Sequence, residues 1–541
     1  MGRLLDAAAW VAMAASLALA LLLMPRFRDL GYVEFVGAIC AVAAAVWYRG
    51  FRHSESLRIA TDFFAIAFAV RFVATIGFFW SGVLHGDPYG GSPDAWSYDR
   101  WARYLVHAWV HGRFPDISAY SLAGRWNVGF DNLLGLSYLV FGESLLVGRV
   151  LLVLFGALTT VMLYQVARLI ADEKIAILTA ILYAFWPLSV GWSSKAVLRD
   201  SMVWFLLLAA TWLIVRISSG RNFDLIPLLA VLAALRFTRA YAEFIVAVGV
   251  ALTGISMVIL RRKRLLAPAL GLIAVFAACE AIFVAMDYPN VIGMIQAYDP
   301  AGHVMKRIPW RKPPEQMHEA QARELRRIRG AEPASGVAED RSVSRDESRA
   351  DVPPEFRDAE HSRPEPRSIR TEPPSVFGNI VRFTLGPFAW GRVRSYGDAW
   401  QSVSMWLWYA IFPLIALGMV LSFRGSRPLR ILMMTSVIFA VILMARGRGD
   451  AFRQREMIMP VMILAAATGA ASARRFVRPI ALAYLGLAVL LAAGIVYHRH
   501  TVAERRLIGR IDPTTRLERI TARDEESAMR FATRGPRRFL S

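Results

Sequence analysis

Residues 86–104, GDPYGGSPDAWSYDRWARY, form a polar stretch that follows a long apolar run. The run is long enough to cross a bilayer, so three carboxylates and several aromatic rings lie just outside the hydrocarbon. Ser92 and Pro93 predict the cap and first turn of a helix. Asp94 and Tyr98, four residues apart, then share one face. We expect a base on this face to meet a substrate held at the lipid boundary.

The composition is that of a polytopic membrane protein. Of 541 residues, 56% are hydrophobic and 12% aromatic, which excludes an ordinary soluble domain. The formal net charge is +21, but the basic clusters lie between apolar runs. Anionic lipid head groups and the orientation rule explain such clusters, so we expect membrane lipids and no nucleic acid as partners. The two cysteines lie inside apolar runs, so neither a disulfide framework nor a thiolate metal site is expected.

Runs of about 20 apolar residues predict an all-α fold with about 12–13 transmembrane helices. Interfacial helices are expected in the first outer loop, at 101–111 and 128–141. The run after residue 225 is broken, with Arg236 and Arg239 at the break. The predicted spans are 7–24, 30–48, 59–81, 145–170, 175–192, 201–217, 225–235, 241–260, 265–286, 404–421, 429–445, 457–472 and 480–496.

This pattern divides the chain into five regions. Two N-terminal spans occupy 1–58, and the core, with outer loop 82–144, occupies 59–298. Residues 299–375 are charged and rich in proline, which predicts a disordered extracytoplasmic insertion. An interfacial segment with the C-terminal spans (376–497) and a basic tail (498–541) follow. The short basic loops predict that the Asp94 loop faces the periplasm or exterior of an inner or plasma membrane.

A second acid is predicted at the same face of the membrane. Asp200 opens a span after the segment SSKAVLR, which supplies Lys195 and Arg199. Two outward carboxylates beside these cations can remove a proton and hold a phosphate. The alternative is that Asp200 only stabilises the helix N-terminus, next to an arginine that reaches toward the interface.

Four further arginines are candidates for phosphate binding. Arg453 and Arg455 lie in a basic cluster on the predicted outer side, where the orientation rule disfavours them. Arginine forks match phosphate oxygens, so a lipid phosphate is the natural partner. Arg236 and Arg239 can reach the same pocket from the break in their span. The alternative is head-group contact, or pairing with Glu243.

Taken together, four motifs resemble the C-type membrane glycosyltransferases, and within them the protein O-mannosyltransferase and aminoarabinose-transferase-like family. They are the Asp-Ala-x-x-Tyr of 94–98, the Leu-Arg-Asp of 198–200, LRFTRAY at 235–241, and FRQR at 452–455 followed by Pro460. The likeness runs from about residue 59 to 496 without the insertion. It implies a sugar donor carried on a polyprenyl phosphate and an active site at the outer membrane surface.

By this resemblance, Asp94 matches the family's loop carboxylate, taken as the catalytic base, and Tyr98 its companion tyrosine. Asp200 matches the second acid of the family's site, sometimes linked to a metal. Arg453 and Arg455 match the arginines near the donor phosphate. The chain departs from the family where Asp-Glu is replaced by Asp-Ala and where Lys-Pro-Pro is replaced by the segment RWN of 125–127. A divalent metal ion is therefore left open as the one cofactor.

The expected reaction is transfer of a hexose or pentose to a hydroxyl of a glycan, lipid or protein, with inversion and with Asp94 as base. Lys195, Arg199, Arg453 and Arg455 are expected to stabilise the departing phosphate. Two alternatives remain: a polymerase that uses lipid-linked glycans, and a transporter or flippase without transferase activity. The charge gathers at the outer boundary rather than at mid-membrane, which favours the enzyme.

Overall fold

The computed structural model describes residues 2–27, 30–84, 89, 92–112, 128–259, 270–275, 277–278, 396–424, 458–473, 477, 481 and 486. Within these ranges the secondary structure is helical and no strand occurs. The principal helices are α1 (Gly2–Phe27), α2 (Gly31–His53), α3 (Glu55–Leu84), α4 (Pro93–Val110), α5 (Val128–Phe141), α6 (Leu145–Ile170), α7 (Glu173–Ala184), α8 (Pro187–Lys195), α9 (Asp200–Ser218), α10 (Leu225–Ile259), α11 (Tyr396–Arg424) and α12 (Met459–Ser472). A 3-10 turn, Asn222–Asp224, joins α9 to α10.

The chain is an all-α polytopic membrane protein. In the described part of the chain, α1, α2, α3, α6, α9 and α11 are long and apolar enough to cross a bilayer, and the bent pair α7–α8 makes a seventh candidate. The helix predicted at 457–472 is the 14-residue α12, which is shorter than a span. The predicted spans at 429–445 and 480–496 and most of 265–286 lie outside the described residues, as do the insertion and the basic tail. The total of about 12–13 spans stays a prediction.

The span predicted at 175–192 is divided into two helices, because the chain breaks between α7 and α8 with a bend of 48°. Pro187 opens α8 and has no N–H for a continuous helix. Arg71 of α3 compensates for the break: its guanidinium donates to the carbonyls of Tyr183 (3.3 Å) and Ala184 (3.1 Å). A buried arginine thus satisfies the helix end, as a lipid environment requires. A Cβ added at Gly156 would lie 2.7 Å from Arg71 Nε, so glycine leaves room for the guanidinium.

The described helices pack around α3 and α6. Helix α3 contacts α1, α2, α6 and α8, and α6 contacts α7 and α9. Helices α11 and α12 cross closely: a Cβ on Gly418 or Gly469 would overlap the facing backbone carbonyl. Small residues allow such close packing in membranes, where lipid offers no hydrophobic advantage to helix association. All the helices named above belong to one compact unit.

Candidate active site

Helix α4 begins as predicted and carries the first acid. The Ser92 Oγ accepts a hydrogen bond from the N–H of Ala95 (3.3 Å), and Pro93 occupies the first helical position. Asp94 lies exposed in the first turn. The helix continues without interruption to Val110, so the interfacial helix predicted at 101–111 is its second half.

Asp99, the third carboxylate of the loop, is buried in a closed network. It accepts hydrogen bonds from the hydroxyls of Tyr89 (2.8 Å) and Tyr138 (2.6 Å) and pairs with Arg103 Nε (3.0 Å). Burial, together with the charge of Asp99, raises the pKa of Tyr89 to about 12, so this phenol stays a donor. We call Tyr89, Asp99, Arg103 and Tyr138 the Asp99 cluster. It attaches α4 to α5 and thereby positions Asp94.

Tyr98, one residue earlier, faces different neighbours. Its ring packs edge-on against Phe130 of α5, with centroids 5.2 Å apart. The guanidinium carbon of Arg199, at the start of α9, lies 5.8 Å from the centre of the Tyr98 ring. Residues from three separate elements therefore meet at this phenol.

Both predicted acids, Asp94 and Asp200, act electrostatically on the Tyr98 phenol. Its pKa is raised to about 12, first by burial, with Arg199 lowering it and the charges of Asp131, Asp94 and Asp200 raising it further. Asp94 and Asp200 thus act on the same phenol, although they are far apart in sequence. We call Tyr98, Asp94, Asp131, Arg199 and Asp200 the Tyr98 cluster.

The break predicted in the span after residue 225 occurs at Arg239, where the backbone of α10 leaves helical geometry (φ −161°, ψ 86°). Arg239 forms an ion pair with the buried carboxylate of Asp200. Arg199 donates through Nη1 to the carbonyl of Thr238 (3.1 Å), which compensates a backbone acceptor beside the break. The Nε of Arg199 is buried and has no hydrogen-bond partner among the residues described. It remains an available donor next to Tyr98.

Arg236 pairs with Glu243 across the break, at 3.2 Å. Both side chains are buried. This is the pairing that the sequence offered as the alternative to phosphate binding. Removing one partner of a buried ion pair would leave an uncompensated charge. Arg236 therefore stabilises the structure of α10 around its break.

Asp131 is a member of the Tyr98 cluster that the sequence interpretation did not assign to the site. It lies in the first turn of α5 and is 3% exposed. Its Oδ1 is buried and finds no hydrogen-bond partner in the described ranges. Burial raises its pKa to about 8, while Arg199 opposes the rise. An acid in an otherwise apolar helix was the signal in the sequence.

Lys195, Arg453 and Arg455 are the remaining predicted residues, and helix α4 also carries two neighbouring histidines. Lys195 ends α8 and is partly buried. Arg453 and Arg455 lie outside the described residues. Rings of His107 and His111 lie 4.4 Å apart, with Nδ1 of His111 at 2.7 Å from the carbonyl oxygen of His107.

A divalent metal does not fit the acids that the structure describes. Within those ranges no group of three or more His, Cys, Asp or Glu side chains converges as metal ligands do. Asp200, the acid linked to a metal by resemblance, is engaged by the cationic Arg239.

A family model described as dolichyl-phosphate-mannose-protein mannosyltransferase matches residues 129–286. The match includes Asp131, Lys195, Arg199, Asp200 and the α10 break, and it begins after Asp94 and Tyr98. It confirms the resemblance to the C-type membrane glycosyltransferases.

The match indicates a membrane glycosyltransferase. The family uses sugars linked to polyprenyl phosphate, so a donor of that class and an acceptor are implied. The comparison with curated proteins gave no match. The matched segment carries the second acid and the arginines around it, whereas the first acid lies on the loop before it.

Proposed function

We propose that this glycosyltransferase moves a sugar from a polyprenyl-phosphate donor to an acceptor hydroxyl on the extracytoplasmic side, with inversion. The observation that carries the proposal is the Tyr98 cluster, in which Asp94, Asp200 and Arg199 act on one phenol. A base, a phosphate-binding cation and a polar wall are thereby available within one site.

Asp94 is the base in this proposal because it is the exposed acid of the cluster. Asp200 is buried and paired with Arg239, so it is poorly placed to take a proton and instead positions that arginine. Asp94 removes the proton from the acceptor hydroxyl, whose oxygen attacks the anomeric carbon of the sugar. The bond from that carbon to the phosphate oxygen breaks with its electron pair, and polyprenyl phosphate leaves. A single displacement inverts the anomeric centre.

Arg199 binds the departing phosphate in this proposal. Its Nη1 donates to the Thr238 carbonyl, while its Nε has no hydrogen-bond partner in the described part of the chain. A preorganised guanidinium aimed at the atom where charge develops lowers the barrier more than a mobile one does. Lys195, Arg239, Arg453 and Arg455 are proposed to add positive charge around the same phosphate.

The proposed side of the membrane follows from the chain's charges. The basic loop around 49–58 lies at the end of the bundle where α2 ends and α3 begins. The Tyr98 cluster belongs to α4, which follows the opposite end of α3, and to the start of α9. With the basic loop in the cytoplasm, the site opens to the periplasm or exterior of the plasma membrane.

The test uses the purified protein and labelled polyprenyl-phosphate sugars in liposomes, with transfer and lipid flipping scored separately. Asp94→Asn keeps the shape and removes the base, so transfer should fall by about 100-fold or more. The matched control is Asp224→Asn at the opposite end of α9, where Asp224 pairs with Arg216 at 2.8 Å; it should transfer at the wild-type rate.

Three results would count against the proposal. Full transfer by Asp94→Asn removes this residue from the mechanism. A product with retained anomeric configuration excludes the single displacement. Flipping without transfer, or transfer only from lipid-linked oligosaccharides, favours the transporter or the polymerase instead.

A further inference from the structure

Asp131 stands out as an incompletely paired acid inside the protein. Its side chain is 3% exposed, and the buried Oδ1 has no hydrogen-bond partner in the part of the chain that is described. Burying a polar atom without a partner costs free energy, so such atoms are rare in folded proteins. A ligand that completes the hydrogen bond would explain why the acid is tolerated.

The backbone around Asp131 is wedged between two parts of the candidate site. Phe130 packs edge-on against Tyr98 at 5.2 Å. A Cβ added at Gly129 would lie 2.9 Å from the carbonyl oxygen of Phe237, so α5 touches α10 just before its break. The first turn of α5 is therefore held beside Tyr98 on one side and beside the Arg239 region on the other.

The charges around Asp131 come from several elements. Helices α2, α4, α6 and α10 pack against α5. Apart from the Asp99 cluster, these four helices carry ionisable side chains at the end nearest Asp131. They include Glu34 on α2, Asp94 and Tyr98 on α4, Arg149 on α6, and Arg239 and the Arg236–Glu243 pair on α10. The charge that acts on the pKa of Asp131 is that of Arg199, and it is outweighed by burial.

The protonation state of Asp131 decides whether its carboxyl can donate a hydrogen bond. With its pKa raised to about 8 by burial, the carboxyl carries a proton at neutral pH. A protonated carboxyl has one O–H donor, whereas a carboxylate only accepts. An arriving anion favours the protonated form further, because a second negative charge beside it is disfavoured.

We propose that Asp131 is a phosphate-binding residue that acts as a neutral acid, its hydroxyl donating to an oxygen of the lipid phosphate that Arg199 also holds. This inference rests on the proposed function, because it assigns the donor phosphate to the same site. Hydrogen bonds from O–H to a charged oxygen are short and strong. Together, Asp131 and Arg199 supply a neutral and a cationic donor to one phosphate.

The experiment measures the dissociation constant of polyprenyl monophosphate, the leaving product, for the full chain in detergent across pH. Asp131→Asn retains a donor that does not ionise, and Asp131→Leu removes the polar atoms. The phosphate's own second ionisation, at about pH 6, is common to all variants and cancels when the constants are compared as ratios.

The wild-type constant, divided by that of Asp131→Asn, should be flat below about pH 8. Above that value it should rise by about tenfold per pH unit, because the wild type must then bind a proton with the phosphate. Asp131→Leu should bind weakly at every pH. A ratio that stays flat throughout, or wild-type affinity in Asp131→Leu, would overturn the inference.

Phosphatidic acid, which carries the same monoester head group on another lipid, identifies the source of the phosphate. Tighter binding of polyprenyl phosphate supports the donor, and equal binding of both lipids overturns that assignment. Transfer assays on the same preparations separate the two proposals. Transfer with a flat ratio rejects the role of Asp131 alone, whereas a pH-dependent ratio without transfer rejects the proposed function alone.

Discussion

Tyr98 and Asp99 are neighbours in the sequence, yet they belong to clusters of opposite character. In the Asp99 cluster, one buried carboxylate is matched by two phenols and a guanidinium. In the Tyr98 cluster, buried atoms of Arg199 and Asp131 have no hydrogen-bond partner among the described residues. A completed network stabilises the fold, whereas an incomplete one fits a ligand that completes it. Neighbouring side chains of one helix thus serve structure and chemistry.

The comparison is tested most severely by Arg199→Gln. The variant loses the charge that is proposed to bind the phosphate, so we expect kcat/KM for transfer to fall by about 100-fold. Arg216→Gln, at the far end of the same helix, is the control, because among the ion pairs of the described ranges Arg216 pairs only with Asp224, in the turn that follows the helix. Equal activity of the two variants would remove the distinction between the clusters.

Asp99→Asn should act on stability rather than on chemistry. Arg103 would lose its charged partner and two phenols would keep only a neutral acceptor, which we expect to cost about 3 kcal/mol. Thermal unfolding in detergent measures the change, and transfer per folded molecule should fall far less than in Arg199→Gln. An unchanged midpoint combined with lost transfer would place Asp99 in the chemistry instead.

Asp131→Asn should change the pH dependence of stability. The folded-state pKa of Asp131, about 8, lies above its ordinary value of 3.8. A carboxyl with a raised pKa contributes stability that is present below the ordinary value and is lost as pH rises through about 8. The thermal unfolding midpoint of the variant, relative to that of the wild type, should therefore rise with pH between these two values and stay constant at higher pH. Parallel curves would mean that Asp131 is not held protonated.

The smallest effect is expected from Tyr89→Phe, which sharpens the comparison within the Asp99 cluster. It removes one of the hydrogen bonds to Asp99 at a partly exposed position, at a cost of about 1 kcal/mol. Tyr138→Phe, at a fully buried position, should cost more, because desolvated acceptors depend more on each partner. Equal unfolding midpoints for both variants would contradict this ranking.

Much of the molecule follows from local sequence. Apolar runs of span length require helices, since a lipid environment leaves no other partner for backbone polar groups. Ser92 and Pro93 start α4 through a side-chain cap and a fixed φ, both of which are local. The change from apolar to charged residues near Arg236 marked the break in α10, because charges are costly inside a span. Asp94 and Tyr98 were identified because a local helix start places them on one face, and Arg199 and Asp200 because they lie at the opening of a span.

Other features depended on contacts between distant segments. The break between α7 and α8 is stabilised by Arg71, more than 100 residues earlier, and no local pattern links the two. The sequence likewise left two partners for Arg236, a phosphate or Glu243. The structure shows the pair with Glu243, which forms across the break in α10.

The sequence by itself determined the membrane class, the positions of the main helices and the acids at one end of the bundle, because hydrophobicity and capping act over a few residues. Tertiary structure alone decided which acid has all its hydrogen-bond partners within the protein and which does not. Asp99 is matched by Tyr138 and Arg103, whereas Asp131 is buried and its Oδ1 has no hydrogen-bond partner among the described residues. Pairing and burial depend on how α4, α5, α9 and α10 converge, and that convergence is a property of the packed chain.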